Sequence, residues 1–214
     1  MTRFLFLLFL LLISPVRADD GWQLRKQDAA RDILVYQRNR AVGPFQSVYA
    51  VTRLPGSVRQ IEAVLTDVNA MPEWMPRVAR ARLIKRQDPQ AWFYIEYHLP
   101  YPFTPRDAVI LSRRSNDNGI VNIRSQAVTG SVPVRPDHVR LGDLQSTWRL
   151  SPLSGGQVKV ELWGNGSPGG LIPAVLYNYN LAEDALHTMR QLRRMAQRGK
   201  YQDGGAVAPA APKM

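Results

Sequence analysis

Three kinds of hydrophobic patterning divide this chain. Residues 4–13 form an unbroken apolar run. Most of the remainder consists of short segments in which apolar and polar residues alternate, as in strands half buried in a sheet. Two segments instead repeat their apolar residues at three- and four-residue steps, as helices do. The alternating segments predict strands at residues 33–37, 45–54, 82–85, 92–99, 107–114, 120–128, 139–150 and 157–163. Turn residues separate them, among them Pro44, Pro55, Asp88-Pro89 and Ser154-Gly155-Gly156. Asn118-Gly119 between two such strands is a hairpin signal.

The first helical segment starts at Ser57. Gln60 stands three residues on in a capping-box pattern, and Val58, Ile61 and Leu65 share one face. Pro72 and Pro76 require an end near residues 67–69. The second starts at Pro173 and runs to residue 197 without Gly or Pro, with an apolar stripe of Val175, Tyr179, Ala182, Leu186, Met189 and Leu192. Arg190, Arg193, Arg194 and Arg198 crowd its last turns, the favourable sense of the helix dipole, and Gly199 ends it. Residues 22–31 read as a short helix or cap, and the Gly-, Ala- and Pro-rich residues 200–214 as a disordered tail. Strands, a helix, a run of antiparallel strands and one long C-terminal helix make an α+β pattern, with a curved sheet wrapping the final helix. There are no βαβ alternations and no internal repeats.

The N-terminus bears on location. Arg3 precedes the apolar run and Val16-Arg17-Ala18 follows it, the build of a cleavable signal peptide over residues 1–18. The run is well short of the roughly 20 residues that span a bilayer, although an uncleaved anchor is the competing reading. Export, most simply to a bacterial periplasm, and a mature chain starting at Asp19 are expected. Residues 19–199 then form one domain, which is expected to be a monomer. The chain has no cysteine, which excludes thiol redox chemistry and Cys-ligated metal sites. Lys and Arg number 28 against 17 Asp and Glu, a net charge of +11. Export argues against nucleic acid as the partner. It leaves an anionic membrane surface, approached through the helix arginines, or solubility alone, as the meaning of that charge.

Three segments carry a family resemblance. Tyr101-Pro102-Phe103-Thr104-Pro105-Arg106-Asp107 joins two strands by a Pro-containing turn with Arg-Asp opening the second. Asp67 is followed seven residues later by Trp74, and Gly169-Gly170-Leu171-Ile172-Pro173 leads into the long helix. In this order and spacing they resemble the START (StAR-related lipid-transfer) family over residues 22–198. The resemblance implies a helix-grip fold whose curved antiparallel sheet and C-terminal helix enclose an apolar tunnel for one lipid. It implies a cavity lined by Trp74, Tyr97, Trp148, Trp163, Ile172, Leu176 and Tyr179, although each could equally be ordinary core. Arg106 either meets a polar head group or forms a structural ion pair that pins the turn. Glu96 and Arg113 are a second candidate pair, dependent on register. The loops at residues 164–170 and 69–76 are the expected gates.

Other chemistry is weaker. Gly164-Asn165-Gly166-Ser167-Pro168-Gly169 spells a dinucleotide fingerprint, but no strand follows the helix to complete a βαβ unit. His98, His138 and His187 lie on separate elements without metal-ligand spacing, so neither a metal nor a cofactor is expected. The function expected is non-enzymatic binding and transfer or sensing of one sterol-like, hopanoid-like or acyl lipid. A cyclase or aromatase on the same scaffold, using His98 or Arg106, is the alternative. A filled scaffold serving protein interaction is a third.

Overall fold

The computed structural model describes residues 21–130 and 132–202. The predicted signal peptide and all but three residues of the predicted tail lie outside them. Ten strands form one sheet: β1 (Gln23–Asp28), β2 (Ile33–Asn39), β3 (Gln46–Pro55), β4 (Val78–Gln87), β5 (Gln90–Tyr97), β6 (Arg106–Asp117), β7 (Ile120–Ala127), β8 (Val139–Arg140), β9 (Leu144–Leu153) and β10 (Gln157–Gly166). The order across it is β1-β2-β3-β10-β9-β7-β6-β5-β4, antiparallel throughout, with β8 paired parallel to β6. Irregular register between Val78 and Arg80, between Leu83 and Lys85, and between Leu24 and Lys26 falls in the two edge strands, where bulges add twist. Asn118 and Gly119, with φ of 49° and 84°, turn the β6–β7 hairpin as expected.

Three element predictions need correction. Residues 22–31 are mostly strand, with only Ala29–Arg31 helical, because Gln23 to Asp28 pair with β2 and gain a ladder that local propensity does not reveal. The strand expected at 82–85 runs over ten residues, paired along β5. The strand expected at 139–150 is broken by Gly142-Asp143 into β8 and β9.

Helix α1 (Val58–Thr66) has the predicted capping box: Ser57 Oγ accepts from Gln60 N at 3.1 Å, and Gln60 Oε1 from Ser57 N at 3.4 Å. The Gln60 amide also donates to the carbonyl of Ala196, tying α1 to the end of α2 (Ala174–Ala196). A 3-10 turn, Val68–Glu73, follows α1. The short helix α3 (Gly199–Gln202) corrects the tail boundary: Tyr201 is buried and its hydroxyl donates to Asp67 Oδ2 at 2.9 Å.

Helices α1 and α2 lie on the concave face of the sheet. One apolar cluster joins α1 and the C-terminal half of α2 to Val35, Ala50, Leu150 and Val160. A second sits beneath the 3-10 turn, against Ile95, Ala108 and Ile110. Met75 packs against both. Between them the concave face is not filled.

The candidate lipid cavity

Among the described residues, two chambers occupy this unfilled space. The larger, about 460 Å³, lies between α2, the β5–β6 loop and the loop that leads from β10 into α2. Its lining is dominated by apolar side chains such as Leu141, Leu162, Leu181 and Phe103. The smaller, about 90 Å³, lies against β5, β6, β7 and β9 near the end of α1. Met75, Tyr97 and Leu144 belong to both walls and form the junction. The larger volume alone falls within the usual range of about 300–1,000 Å³ for small-molecule sites.

Strand alternation and helix phase decide which side chains face this space. In β10, Val158, Val160 and Leu162 point into the concave face, so Trp163 points away. Trp163 stacks on Tyr49 at 5.0 Å between ring centroids, outside the lining. On α2 the cavity face comprises Leu176, Tyr177, Asn180, Leu181, Asp184, Ala185 and Thr188. Tyr179 lies off that face and is 66% exposed, with Lys26 Nζ 5.6 Å from its ring centroid. The expected places of Trp163 and Tyr179 in the lining are therefore corrected. The stripe from Val175 to Leu192 is real but divided: Ala182, Leu186, Met189 and Leu192 are buried, while Val175 and Tyr179, near the helix start, remain exposed.

The other five residues expected in the lining do face the cavity. Ile172 and Leu176 line the larger chamber, with Leu176 partly exposed. Trp74 and Trp148 meet edge to face at 6.2 Å and line the smaller one. Tyr97 stands at the junction, and burial pushes its phenol well above the ordinary range. Burial likewise raises Tyr177 to about 12, so both phenols are neutral near pH 7. Among the described residues neither hydroxyl has a hydrogen-bond partner.

Arg106 lines the larger chamber, but its guanidinium is already engaged. Nε donates to the carbonyl of Pro168 at 3.0 Å, Nη2 to that of Gly169 at 3.0 Å, and Nη1 to that of Thr104. Burial pulls its pKa below the usual arginine value. It thus clamps the loop before α2 to the start of β6, and no ion pair with Asp107 forms. Asp107 instead accepts from Arg140 Nε at 2.7 Å, Arg140 Nη2 at 3.0 Å and the Tyr94 hydroxyl at 2.7 Å. The expected Glu96–Arg113 pair does not form either. Arg113 stands opposite Gln90, at the far end of the β5–β6 ladder from Glu96, which pairs with Arg135 at 3.2 Å. The glycines of the fingerprint-like loop serve close packing: a Cβ on Gly166 would lie 2.6 Å from the Asp143 carbonyl oxygen, and Gly169 has φ +62°.

Sequence reasoning missed one polar feature. Arg77 Nε donates to Asp184 Oδ2 at 2.6 Å, and Nη2 to Asn180 Oδ1 at 2.9 Å, joining the segment after the 3-10 turn to α2. Arg77 has φ +64°, a conformation that strains a non-glycine residue. Nothing in a linear reading pairs positions so far apart. By contrast, the alternation Val158-Val160-Leu162 could have identified Leu162. His98 is exposed and lies outside both linings.

The START domain model matches residues 14–200. The chain belongs to the START domain family. The crystal structure of a STAR-related lipid transfer protein from Xanthomonas axonopodis is similar at 32% identity and a TM-score of 0.78, covering 84% of this chain and 100% of that one. Human STARD10 has the same START fold at 18% identity and a TM-score of 0.75, with 86% of this chain and 75% of that one covered. An uncharacterized protein of Pseudomonas aeruginosa is 28% identical over 84% of this chain and 88% of its own length. The fold also extends to an aromatase/cyclase from Streptomyces, at 12% identity and a TM-score of 0.51, with 75% of this chain and 98% of that one covered. These relatives agree with a helix-grip architecture for this START domain: a curved antiparallel sheet closed by the C-terminal helix.

Proposed function

We propose that this START domain binds one lipid in its two-chambered cavity, outside the cytoplasm, and carries or senses it without a covalent step. The observation that carries the reading is the larger chamber, whose apolar lining offers about 460 Å³ next to a partly exposed Leu176. Transfer of a lipid body from water into such a lining is favourable by about 25 cal/mol per Å² of apolar surface buried. The similar lipid transfer protein from Xanthomonas supports the same class of ligand. The signal-peptide pattern of residues 1–18 supports the location, and among the described residues no helix is long and apolar enough to cross a membrane.

Contact with a membrane is best supported at the start of α2. Leu171 and Val175 are exposed beside the lining residues Ile172 and Leu176, and Tyr101 is exposed between the lining residues Pro100 and Phe103. The helix arginines are less suited to that role. Arg190 pairs with Asp28, Arg198 pairs with Glu73, and Arg193 donates to the carbonyls of Arg31 and Arg53.

A cyclase would need an acid–base group free in the cavity. Of the charged residues in the larger chamber, Arg77 and Asp184 neutralise each other and Arg106 holds three carbonyls, while burial raises the Tyr97 and Tyr177 phenols and keeps them neutral. This favours binding over catalysis. The test is native mass spectrometry of the chain from Asp19 onward, with lipid extraction of the same sample. One lipid per chain is expected. An apo mass, with no uptake from mixed liposomes, overturns the proposal.

A further inference from the structure

The smaller chamber differs chemically from the larger. Ser112 of β6, Ser125 of β7 and Ser146 of β9 stand directly opposite one another, making a row of hydroxyls across three central strands. All three line the chamber. Ile110, Ile123, Leu144 and Trp148 flank them on the same face within the chamber, and Arg114, two residues beyond Ser112, is paired with Glu62 outside its lining. Ser125 Oγ donates to Ser112 Oγ at 3.1 Å, while among the described residues the Ser146 hydroxyl has no hydrogen-bond partner. Trp74, 2% exposed, lines the same chamber, and its Nε1–H is buried without an acceptor among the described residues. Buried polar groups left in this condition are uncommon and call for a partner.

Among the described residues, Arg86 is the one charged residue lining this chamber; it is exposed and donates to the Thr66 carbonyl at 3.2 Å, so no buried charge is offered to an ion. A hydroxyl group of a ligand would match what remains. It accepts one hydrogen bond, as the Trp74 N–H requires, and donates another, as a serine oxygen can receive. A hydrocarbon end would leave the donor orphaned, and a carboxylate would be buried without a counter-charge.

We propose that the smaller chamber is a hydrogen-bonding subsite for a single uncharged hydroxyl at the leading end of the lipid, formed by Ser146 and Trp74 with Ser125 and Ser112 behind them. The ligand class is therefore a lipid alcohol, with its apolar body in the larger chamber and Tyr97 at the junction. This rests on the lipid-binding reading.

The test uses mature protein labelled with 15N at its tryptophan indoles, titrated with 1-hexadecanol, hexadecane and hexadecanoate. Trp74→Phe assigns the Trp74 signal; if that variant misfolds, contacts of the indole proton with Trp148 assign it instead. The alcohol is expected to bind on the order of ten-fold more tightly than the alkane, the worth of about one net hydrogen bond. It alone should move the Trp74 indole proton downfield, and Ser146→Ala should remove most of its advantage. Equal affinity for alcohol and alkane, or equal shifts of the Trp74 proton, overturns the subsite and leaves lipid binding standing. So does a Trp74 proton that stays in contact with water when the alcohol is bound. Tighter binding of hexadecanoate overturns the uncharged class. Failure of all three probes to bind removes the lipid reading along with the subsite.

Discussion

Arg77 and Asp184 are joined by two hydrogen bonds, at 2.6 and 3.2 Å, that tie the segment after the 3-10 turn to the middle of α2 along the wall of the larger chamber. Both side chains are about one-third exposed, 33% and 31%. Solvent weakens such a pair, so its worth to stability is at most about 1 kcal/mol. Its position gives it more influence over whether helix and turn separate than over whether the chain folds.

Substituting Arg77→Gly should therefore divide the two effects. Glycine accepts the φ of +64° without strain, a relief of about 1 kcal/mol that offsets the lost ion pair. The expected outcome is a melting temperature close to that of the wild type, with release of a fluorescent lipid several-fold faster. A release rate unchanged in stopped flow would show that this pair does not control opening.

Filling the chamber should abolish binding without unfolding the protein. Ala185→Phe places a ring in the larger chamber from its α2 wall. Lipid stoichiometry by native mass spectrometry should fall towards zero while the circular dichroism spectrum is retained. Trp163→Ala is the control: it removes the stack on Tyr49 from the outer face, costs about 1 kcal/mol in urea denaturation, and leaves uptake intact.

Asp107 should dominate the acid sensitivity of the fold. Burial alone would raise its pKa, but the bonds from Arg140 and Tyr94 outweigh this and hold it below the usual carboxylate value. A depressed folded-state pKa contributes stability that is fully present above the unfolded value of about 3.9 and is lost as pH falls through the folded value. Urea midpoints should drop below about pH 4 in the wild type and drop less in Asp107→Asn. At pH 7, Asp107→Ala should cost about 3 kcal/mol, because it leaves Arg140 with an unpaired charge at a buried site.

Gly169→Ala probes the loop that Arg106 holds. A Cβ there would lie 2.9 Å from Val139 Cγ1, at a φ of +62°. A loss of about 1–2 kcal/mol is expected from the backbone strain and the close contact, measured as a lower urea midpoint.

The Ser57–Gln60 capping box, the Asn118-Gly119 turn and the periodicity of the long helix were all legible, because each is a local pattern whose physics lies within a few residues. The edge strand β1 was not, because its ladder comes from β2. Trp74, Tyr97, Trp148, Ile172 and Leu176 were named as cavity residues through the family resemblance and do line the chambers. Trp163 and Tyr179 were placed on the wrong side, since size and aromatic character do not give the phase of a strand or a helix. Arg106 was in the right place with an open role, and the structure gives its guanidinium three carbonyls.

By itself, then, the sequence determined the layers: one antiparallel sheet, one capped helix and one long amphipathic helix, all consequences of residue spacing. Only the tertiary structure decided that the concave face is left partly empty, that Arg77 meets Asp184, and that Ser112, Ser125 and Ser146 stand in a row. Those facts depend on strand register and helix placement, which bring together residues far apart in the chain. Periodicity along the chain carries no record of which of them will meet.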